Sequence, residues 1–490
     1  MNEISNNLSG AYPTRLELYV GGEWRGVGTR STIAVVNPAT EVEIGRLPIA
    51  SEQDIDDALA AARSAFPSWS QKNAWERAAI LTRAATIIEA RRAAMTEILT
   101  LENGKPLADS SAEIDRVIEA ILYCAEECKR AYGRILPPRS RLLTQSSIKR
   151  PIGPVAAFAP WNFPAFLSAR KAAAALAAGC TVILKPAEET PAVCIELVRA
   201  FVDAGIPTGA LNVLFGVPAQ ISRRLIASPI IRKISFTGSV PVGRLLATQA
   251  AQHLKPSTME LGGHAPVIVF DDVHTETVAR ACVAFKFRNA GQVCLSPSRF
   301  YVHARIAADF TRHFTDLAKS LRLGEGREIG VQMGPLNNKR RLEAAAALVE
   351  EAHGSGARVE TGGKRIDRVG YFFPPTVLTN VDEGSRILSE EPFCPVAPIM
   401  TFESMDEGIQ RANAVEFGLA AYAFTNRADR AVEFSERIEA GWIGINNFTP
   451  ALADAPIGGL KDSGLGYEGG PEGLDAYTHM RFISQSNELV

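Results

Sequence analysis

Within KFRNAGQVCLSPSRF, residues 286–300, one thiol, Cys294, sits among glycine and amide neighbours just ahead of a strand-like run. A thiolate is strongly nucleophilic near neutral pH and can open covalent chemistry there; a cysteine that is only a small buried hydrophobe reads the same. In FAPWNFPAFLSARK, residues 158–171, two prolines stiffen the loop that carries Asn162. A rigidly held amide can donate to a developing oxyanion, an effect worth about 3 kcal/mol, although asparagine in a Pro-rich loop also serves as a turn former. Glu260 closes an apolar run in STMELGGHAP, residues 257–266. A carboxyl in such surroundings can hold a raised pKa and act as a general base, or it can simply pair with a neighbouring Lys or Arg. SFTGSVPVG, residues 235–243, is a strand entering a turn in which Gly238, Ser239 and Gly243 bracket a helix start. That is either a pyrophosphate cradle or only a turn. VILKPAEETP, residues 182–191, sets Lys185 and Glu188 directly after another strand, as ligands for a ribose diol or as a surface ion pair.

For these groups to meet, the chain needs a framework with strand ends in common. Residues 51–69 open with Ser51 and Asp54 at capping-box spacing and place Ile55, Leu59, Ala62 and Phe66 on one helical face. One longer helix is predicted over 74–101. The rhythm then changes to short apolar runs, GPVAAFAP, TVILKP, LNVLFG, KISFTGS and APVIVF, mostly separated by helical segments. Such alternation predicts a doubly wound α/β architecture, a parallel sheet covered on both faces whose ligands bind beyond the carboxyl ends of its strands. A second alternation from 262 to 462 predicts a second α/β domain. The polar, alternating segments 131–150 and 478–490 predict a small β arm that docks on another subunit.

Composition narrows the partners. A length of 490 residues suggests about three units at roughly 150 residues per domain. With a formal charge of −2 and no basic block, no field is present to steer nucleic acid or an anionic membrane. Seven cysteines without a CxxC pair or His/Cys spacing argue against disulfides and a metal site, and for a cytoplasmic setting. The start, MNEISNNLSGAYPTRLELYVGGEW, lacks a secretory pattern. The longest apolar run, residues 172–184, is shorter than the roughly 20 residues needed to span a bilayer.

Taken together, PWNFP, LKPAEETP, FTGS, MELGGHAP, GQVC and EEPFCPV, in this order and spacing, resemble the aldehyde dehydrogenase superfamily from NPAT at 37 to GGLKDSG at 458. The resemblance implies two Rossmann-like domains, 1–130 with 151–261 binding the dinucleotide and 262–462 catalytic, plus the arm. It implies Cys294 as nucleophile, Asn162 as oxyanion donor, and Glu260 as the base that hydrolyses a thioester rather than passing its acyl group to coenzyme A. Lys185 and Glu188 match the adenosine-ribose ligands, Gly238 and Ser239 the pyrophosphate turn, and Glu391 and Phe393 the nicotinamide contacts. Trp161, Gly216 and Leu261 complete the implied cofactor set. Glu188 would repel a 2′-phosphate, so NAD is expected over NADP, with NADP use still open through Lys185. One departure is Cys394, where the family usually has glycine; it either crowds the nicotinamide or sits harmlessly behind it, and could form a reversible disulfide with Cys294. None of the seven histidines, His264 included, follows a cysteine-hydrolase motif.

Arg170 and Arg288 match two arginines that hold the distal carboxylate in succinate-semialdehyde dehydrogenases, a geometry suited to paired guanidinium groups; either could instead be a structural ion-pair member. The loop NNFTPALADAP, residues 446–456, has Ala451 and Leu452 where that subfamily offers a serine. The expected substrate is therefore a semialdehyde, of succinate or 2-oxoglutarate, with a broader aliphatic or aromatic aldehyde as the alternative. A binding protein on the same fold is the alternative of another class. The resemblance also implies a homodimer or homotetramer.

Overall fold

Capping chemistry sets the first helices. In the computed structural model, which describes residues 12–448, 451–486 and 488, Ser51 and Asp54 form a capping box on Glu52–Gln71 that buries Ile55, Leu59 and Ala62. The loop at 446–456 and the segments 1–130 and 478–490 thus extend partly outside the described residues. Asn73 and Glu76 cap Ala74–Ala90 in the same way. The single helix expected over 74–101 is two, Ala74–Ala90 and Arg92–Asn103. Arg91 breaks it by adopting φ −98° and ψ 3°, with its guanidinium paired to Asp203.

Five strands, Val155–Phe158, Val182–Lys185, Leu211–Val213, Lys233–Thr237 and Ser257–Glu260, run parallel in the spatial order third, second, first, fourth, fifth. Their near-continuous burial explains the unbroken apolar runs, because helices cover both faces. Antiparallel strands close the edges: Leu18–Val20 and Glu23–Arg25 on one side, Gly464–Leu465 on the other. A second sheet is parallel from Thr376–Thr379 through Val396–Phe402, Pro297–His303, Ala265–Val269 and Ala420–Phe424 to Trp442–Ile445. Arg358–Thr361 adds an antiparallel edge. Each sheet has its own apolar core. The apolar run at 172–184 resolves into the end of helix Pro164–Ala178, a left-handed turn at Gly179 (φ 93°) and a strand. Among the described residues no helix is long and apolar enough to cross a membrane.

The chain passes from the carboxyl end of Ser257–Glu260 to the amino end of Ala265–Val269 in four residues, so those two ends face one another. A third, three-stranded sheet joins Arg134–Leu136, Leu143–Pro151 and Thr478–Ser486, the last two in register from Thr478 opposite Pro151 to Ser486 opposite Leu143. It leaves Ile135, Met480 and Phe482 exposed.

Gly464 shows how tightly the edge strand fits. It adopts φ 154°, and a Cβ there would lie 2.2 Å from the Met259 carbonyl oxygen, one residue from Glu260. Gly464→Ala must push Gly464–Leu465 off its neighbour, at a cost of about 2 kcal/mol or more. Differential scanning fluorimetry should show the thermal midpoint falling by several degrees; an unchanged midpoint would mean the edge strand adapts freely.

Candidate active site

The order third, second, first, fourth, fifth places a topological switch between Val155–Phe158 and Lys233–Thr237, where crossovers leave in opposite directions and open a crevice. Trp161 and Asn162 follow the first of these strands, and Gly238 and Ser239 the second. A cavity of about 660 Å³ opens there, lined also by Lys185, Glu188, Leu261, Glu391 and Phe393. Of the cofactor residues expected from sequence, Gly216 alone is set back from the lining, and its N–H donates to Glu188 Oε1 at 3.0 Å.

The cavity carries features suited to a dinucleotide. Ser239 is the N-cap of Val240–Gln252, yet its hydroxyl makes no capping bond, leaving it and the helix N-terminus for an anion. Gly243 allows that helix to approach Leu261, since a Cβ would fall 2.2 Å from a Leu261 methyl. Lys185 and Glu188 pair at 2.7 Å, so the ion-pair reading also holds, but inside the cavity. Phe393 is held at φ 45°, a strained value for a bulky residue, with Trp161 edge-on at 5.6 Å. The Arg341 guanidinium donates to the Pro392 and Phe393 carbonyls and fixes this turn. Glu391 accepts from Gly263 N–H at 3.2 Å, and burial pushes its carboxyl up to about 7.

Cys294 stands where this cavity meets a second, narrower one. The approach is unusual: Asn289, Ala290 and Gly291 adopt φ of 47°, 54° and 73° in succession, a left-handed run that turns the chain ahead of the thiol. Buried amides stabilise it. Asn289 Nδ2 donates to the Asn162 carbonyl at 3.1 Å, Gln292 Nε2 to the Asn289 carbonyl at 3.0 Å, and Asn337 N–H to Gln292 Oε1 at 2.9 Å. Asn162 Nδ2 donates to the Gln292 carbonyl at 3.1 Å, leaving its second hydrogen for another acceptor. Cys294 lies at the amino end of Pro297–His303, ahead of a strand as its sequence context suggests, and not at a carboxyl end. Glu260 lies at the carboxyl end of Ser257–Glu260 and opposite Thr237 in the sheet.

Glu260 is buried and, among the described residues, Oε1 makes no hydrogen bond; burial together with nearby Glu468 outweighs the attraction of Arg170 and Lys171 and pushes its carboxyl well above the usual range. Burial, Glu391 and Glu260 push the Cys294 thiol up to about 12. Cys394 is fully buried in the second core and lines neither cavity; it and Cys294 are both free thiols. His264 is a satisfied core histidine, its ring nitrogens bonded to Ser298 Oγ at 2.6 Å and the Ile387 carbonyl at 3.1 Å.

The second cavity, about 80 Å³, runs from Cys294 and Glu260 between Phe163, Phe166 and Phe285. Arg170 and Arg288 both line it, and both have acidic neighbours: Arg288 Nε is 3.5 Å from Asp109, and Arg170 Nε is 3.9 Å from Glu468. Ala451 lines it as well. Sequence reasoning missed Lys105, Glu113, Lys171, Glu468 and Arg341. Lys171 pairs with Glu468, to which Ser235 Oγ donates at 3.2 Å. Lys105 pairs with Glu113 at 2.6 Å and donates to the Asn162 carbonyl at 2.7 Å. Each pairing joins separate elements, so no local pattern announces it.

Residues 24–483 match the aldehyde dehydrogenase family. The chain is 44% identical over 467 residues to a putative 4-(hydroxymethyl)benzenesulfonate dehydrogenase of Comamonas testosteroni, covering 95% of this chain and 97% of the relative. It is 40% identical to a 3-sulfolactaldehyde dehydrogenase of Pseudomonas putida, covering 95% and 96%. The crystal structure of succinate-semialdehyde dehydrogenase from Burkholderia pseudomallei superposes with a TM-score of 0.94 at 40% identity, covering 96% of this chain and 98% of that one. The chain therefore belongs to the aldehyde dehydrogenase family, oxidoreductases that convert aldehydes with NAD or NADP.

Proposed function

We propose that the protein oxidises an aldehyde bearing an anionic group at its far end to the carboxylic acid, with NAD preferred over NADP. The observation that carries this is Cys294 lining both of two adjoining cavities, a dinucleotide-sized one that Asn162 also lines and a narrow one that Glu260, Arg170 and Arg288 line. In this reading the Cys294 thiolate adds to the carbonyl carbon, forming a C–S bond. The oxyanion accepts from the free hydrogen of Asn162 Nδ2 and from the Cys294 backbone N–H. When bound, the nicotinamide supplies the hydride acceptor that takes the adduct to a thioester. Glu260 then removes a proton from water, the hydroxide adds to the thioester carbon, and the thiolate leaves as the acid forms. Gly238 and Ser239 would hold the pyrophosphate, with Lys185 and Glu188 at one ribose and Trp161, Leu261, Glu391 and Phe393 toward the ring. The Glu188 carboxylate, fixed by Gly216 N–H and Lys185, favours a free 2′-hydroxyl over a phosphate.

Semialdehydes of succinate or 2-oxoglutarate come first among substrates. Sulfonated aldehydes come second, favoured by the relatives named for sulfonated substrates and by the three phenylalanines in the cavity. The arm formed by 131–150 and 478–486 is read as the contact that makes a homodimer or homotetramer, and the free thiols as suited to a cytoplasmic setting.

Three measurements test these statements. NADH formation at 340 nm should be faster with succinate semialdehyde than with hexanal or benzaldehyde, and Arg288→Ala should lose that preference by about tenfold or more in kcat/KM; neutral aldehydes winning in the wild type would overturn the anionic assignment. The raised thiol pKa means that the thiolate fraction grows with pH, so iodoacetamide labelling of Cys294 in cofactor-free protein should accelerate about tenfold per pH unit between 7 and 9. The other six cysteines are buried, so intact-mass spectrometry reads this site, and a rate that levels off below pH 8 contradicts the environment described. Light scattering should give a multiple of 52.8 kDa that falls in the double variant Ile135→Asp/Phe482→Asp; an unchanged mass would exclude the arm as the contact.

A further inference from the structure

We propose that Arg116, which no motif singled out, is a specificity-determining residue that joins Arg288 on the charged end of the substrate, in the place expected for Arg170. The inference rests on the anionic-aldehyde reading above.

Arg170 is poorly placed to bind a substrate anion. Its side chain is 7% exposed, with Nε directed at Glu468. Its Nη2 packs so closely on Gly469 that a Cβ there would lie 2.2 Å away. On that side Arg170 borders a separate void of about 20 Å³ beside Cys124 and Gly473, large enough for one water. An anion drawn to this guanidinium would also meet the Glu468 carboxylate, which Lys171 and Arg170 hold ionised against the penalty of burial. Arg170 Nε and Nη2 are both buried and make no hydrogen bond among the described residues, so the guanidinium is enclosed in the wall beside Glu468 rather than presented to the cavity.

Arg116 and Arg288 differ in being reachable, with side chains 29% and 22% exposed in the same cavity. Helix Leu107–Glu127 arranges them. Asp109, Glu113 and Arg116 fall at i, i+4 and i+7, hence on one face. Asp109 steadies Arg288, Glu113 anchors the helix to Lys105, and Arg116 follows two turns beyond Asp109. Helical side chains lean toward the N-terminus, so a released Arg116 extends back toward the Arg288 end. Its ion-pair partner is Glu119, at 2.7 Å and i+3 on the same helix. An exposed pair of this kind contributes little, so an incoming anion can recruit the guanidinium at small cost. Two planar forks then suit the two oxygens of a carboxylate or the three of a sulfonate.

The test compares wild type, Arg116→Ala, Arg116→Lys, Glu119→Gln and Arg288→Ala with succinate semialdehyde and hexanal. Arg116→Ala is expected to raise KM for the anionic substrate about tenfold with kcat retained and both hexanal parameters unchanged. Arg116→Lys should fall between, and Glu119→Gln, which frees the guanidinium, should lower KM. Raising ionic strength should narrow the gap between wild type and Arg116→Ala. A KM for succinate semialdehyde at the wild-type value in Arg116→Ala overturns the proposal, as does an equal rise for hexanal, which would mark a structural role. If the wild type has no preference for the anionic aldehyde, the underlying functional reading falls too. If that preference exists and only Arg288→Ala removes it, Arg116 alone is excluded.

Discussion

The buried ion pair between Lys105 and Glu113 is the constraint on which the site is built. Both side chains are fully buried, and two charges removed from water cost several kcal/mol each unless every hydrogen-bonding position is used. Here they are well used. One Glu113 oxygen takes the Lys105 ammonium, and the other accepts from the Ala165 and Phe166 N–H groups at 3.0 and 3.1 Å, at the N-terminus of Pro164–Ala178. The ammonium also donates to the Asn162 carbonyl and lies 4.1 Å over the Phe163 ring. One pair thereby fixes three things: the long helix Leu107–Glu127, the helix that starts at Pro164, and the backbone of the loop that leads into it from Val155–Phe158. Asn162 owes its direction to that loop, and Phe163 its place in the narrow cavity.

Electrostatics at the other end of the cavity follow from unequal treatment of two carboxyl groups. Glu468 has Lys171, Arg170 and Ser235 around it and stays ionised despite its burial. Glu260 has no hydrogen bond on Oε1 among the described residues, and burial, with Glu468 as a nearby like charge, pushes its carboxyl well above the usual range. Pairs of titratable groups pushed apart in this way commonly divide acid and base work between them. Burial raises the Cys294 thiol and the Glu260 carboxyl alike, so in the cofactor-free site both give up a proton less readily than in water. A cation brought into the larger cavity would favour the thiolate of Cys294 over the thiol.

Much of this was legible in the chain, for a physical reason. Most of the residues lining the joined cavities sit on loops next to strand ends, where glycine, proline and asparagine leave local signatures. PWNFP, FTGS, LKPAEETP and GQVC all announced themselves, and all line the joined cavities. The groups that support them did not. Glu113 reads as one more polar residue of an amphipathic helix, and Glu468 lies 297 residues from Lys171. Their burial is a property of packing between distant segments, which spacing cannot reveal. Arg170 illustrates the limit from the other side: the match placed it correctly in the cavity wall, but only the packed neighbours show where its charge is directed.

The two sheets contribute opposite ends of their strands, and that asymmetry explains the strained backbone before the thiol. Glu260 arrives with its strand and needs no special turn. Cys294 precedes its strand, so the chain must come off helix Thr275–Lys286, reverse, and enter Pro297–His303 while passing close to the first sheet. Three consecutive left-handed residues achieve that reversal, and for Asn289 and Ala290 such φ values cost free energy that hydrogen bonds must offset. Space is equally restricted: a Cβ on Gly291 would lie 2.3 Å from the Cys394 carbonyl oxygen, and one on Gly263 would lie 2.7 Å from that of Cys294. Cys394 is therefore coupled to the Cys294 loop through its backbone rather than its thiol. A side chain is tolerated there because it points into the second core, while the carbonyl keeps the contact on which the turn depends.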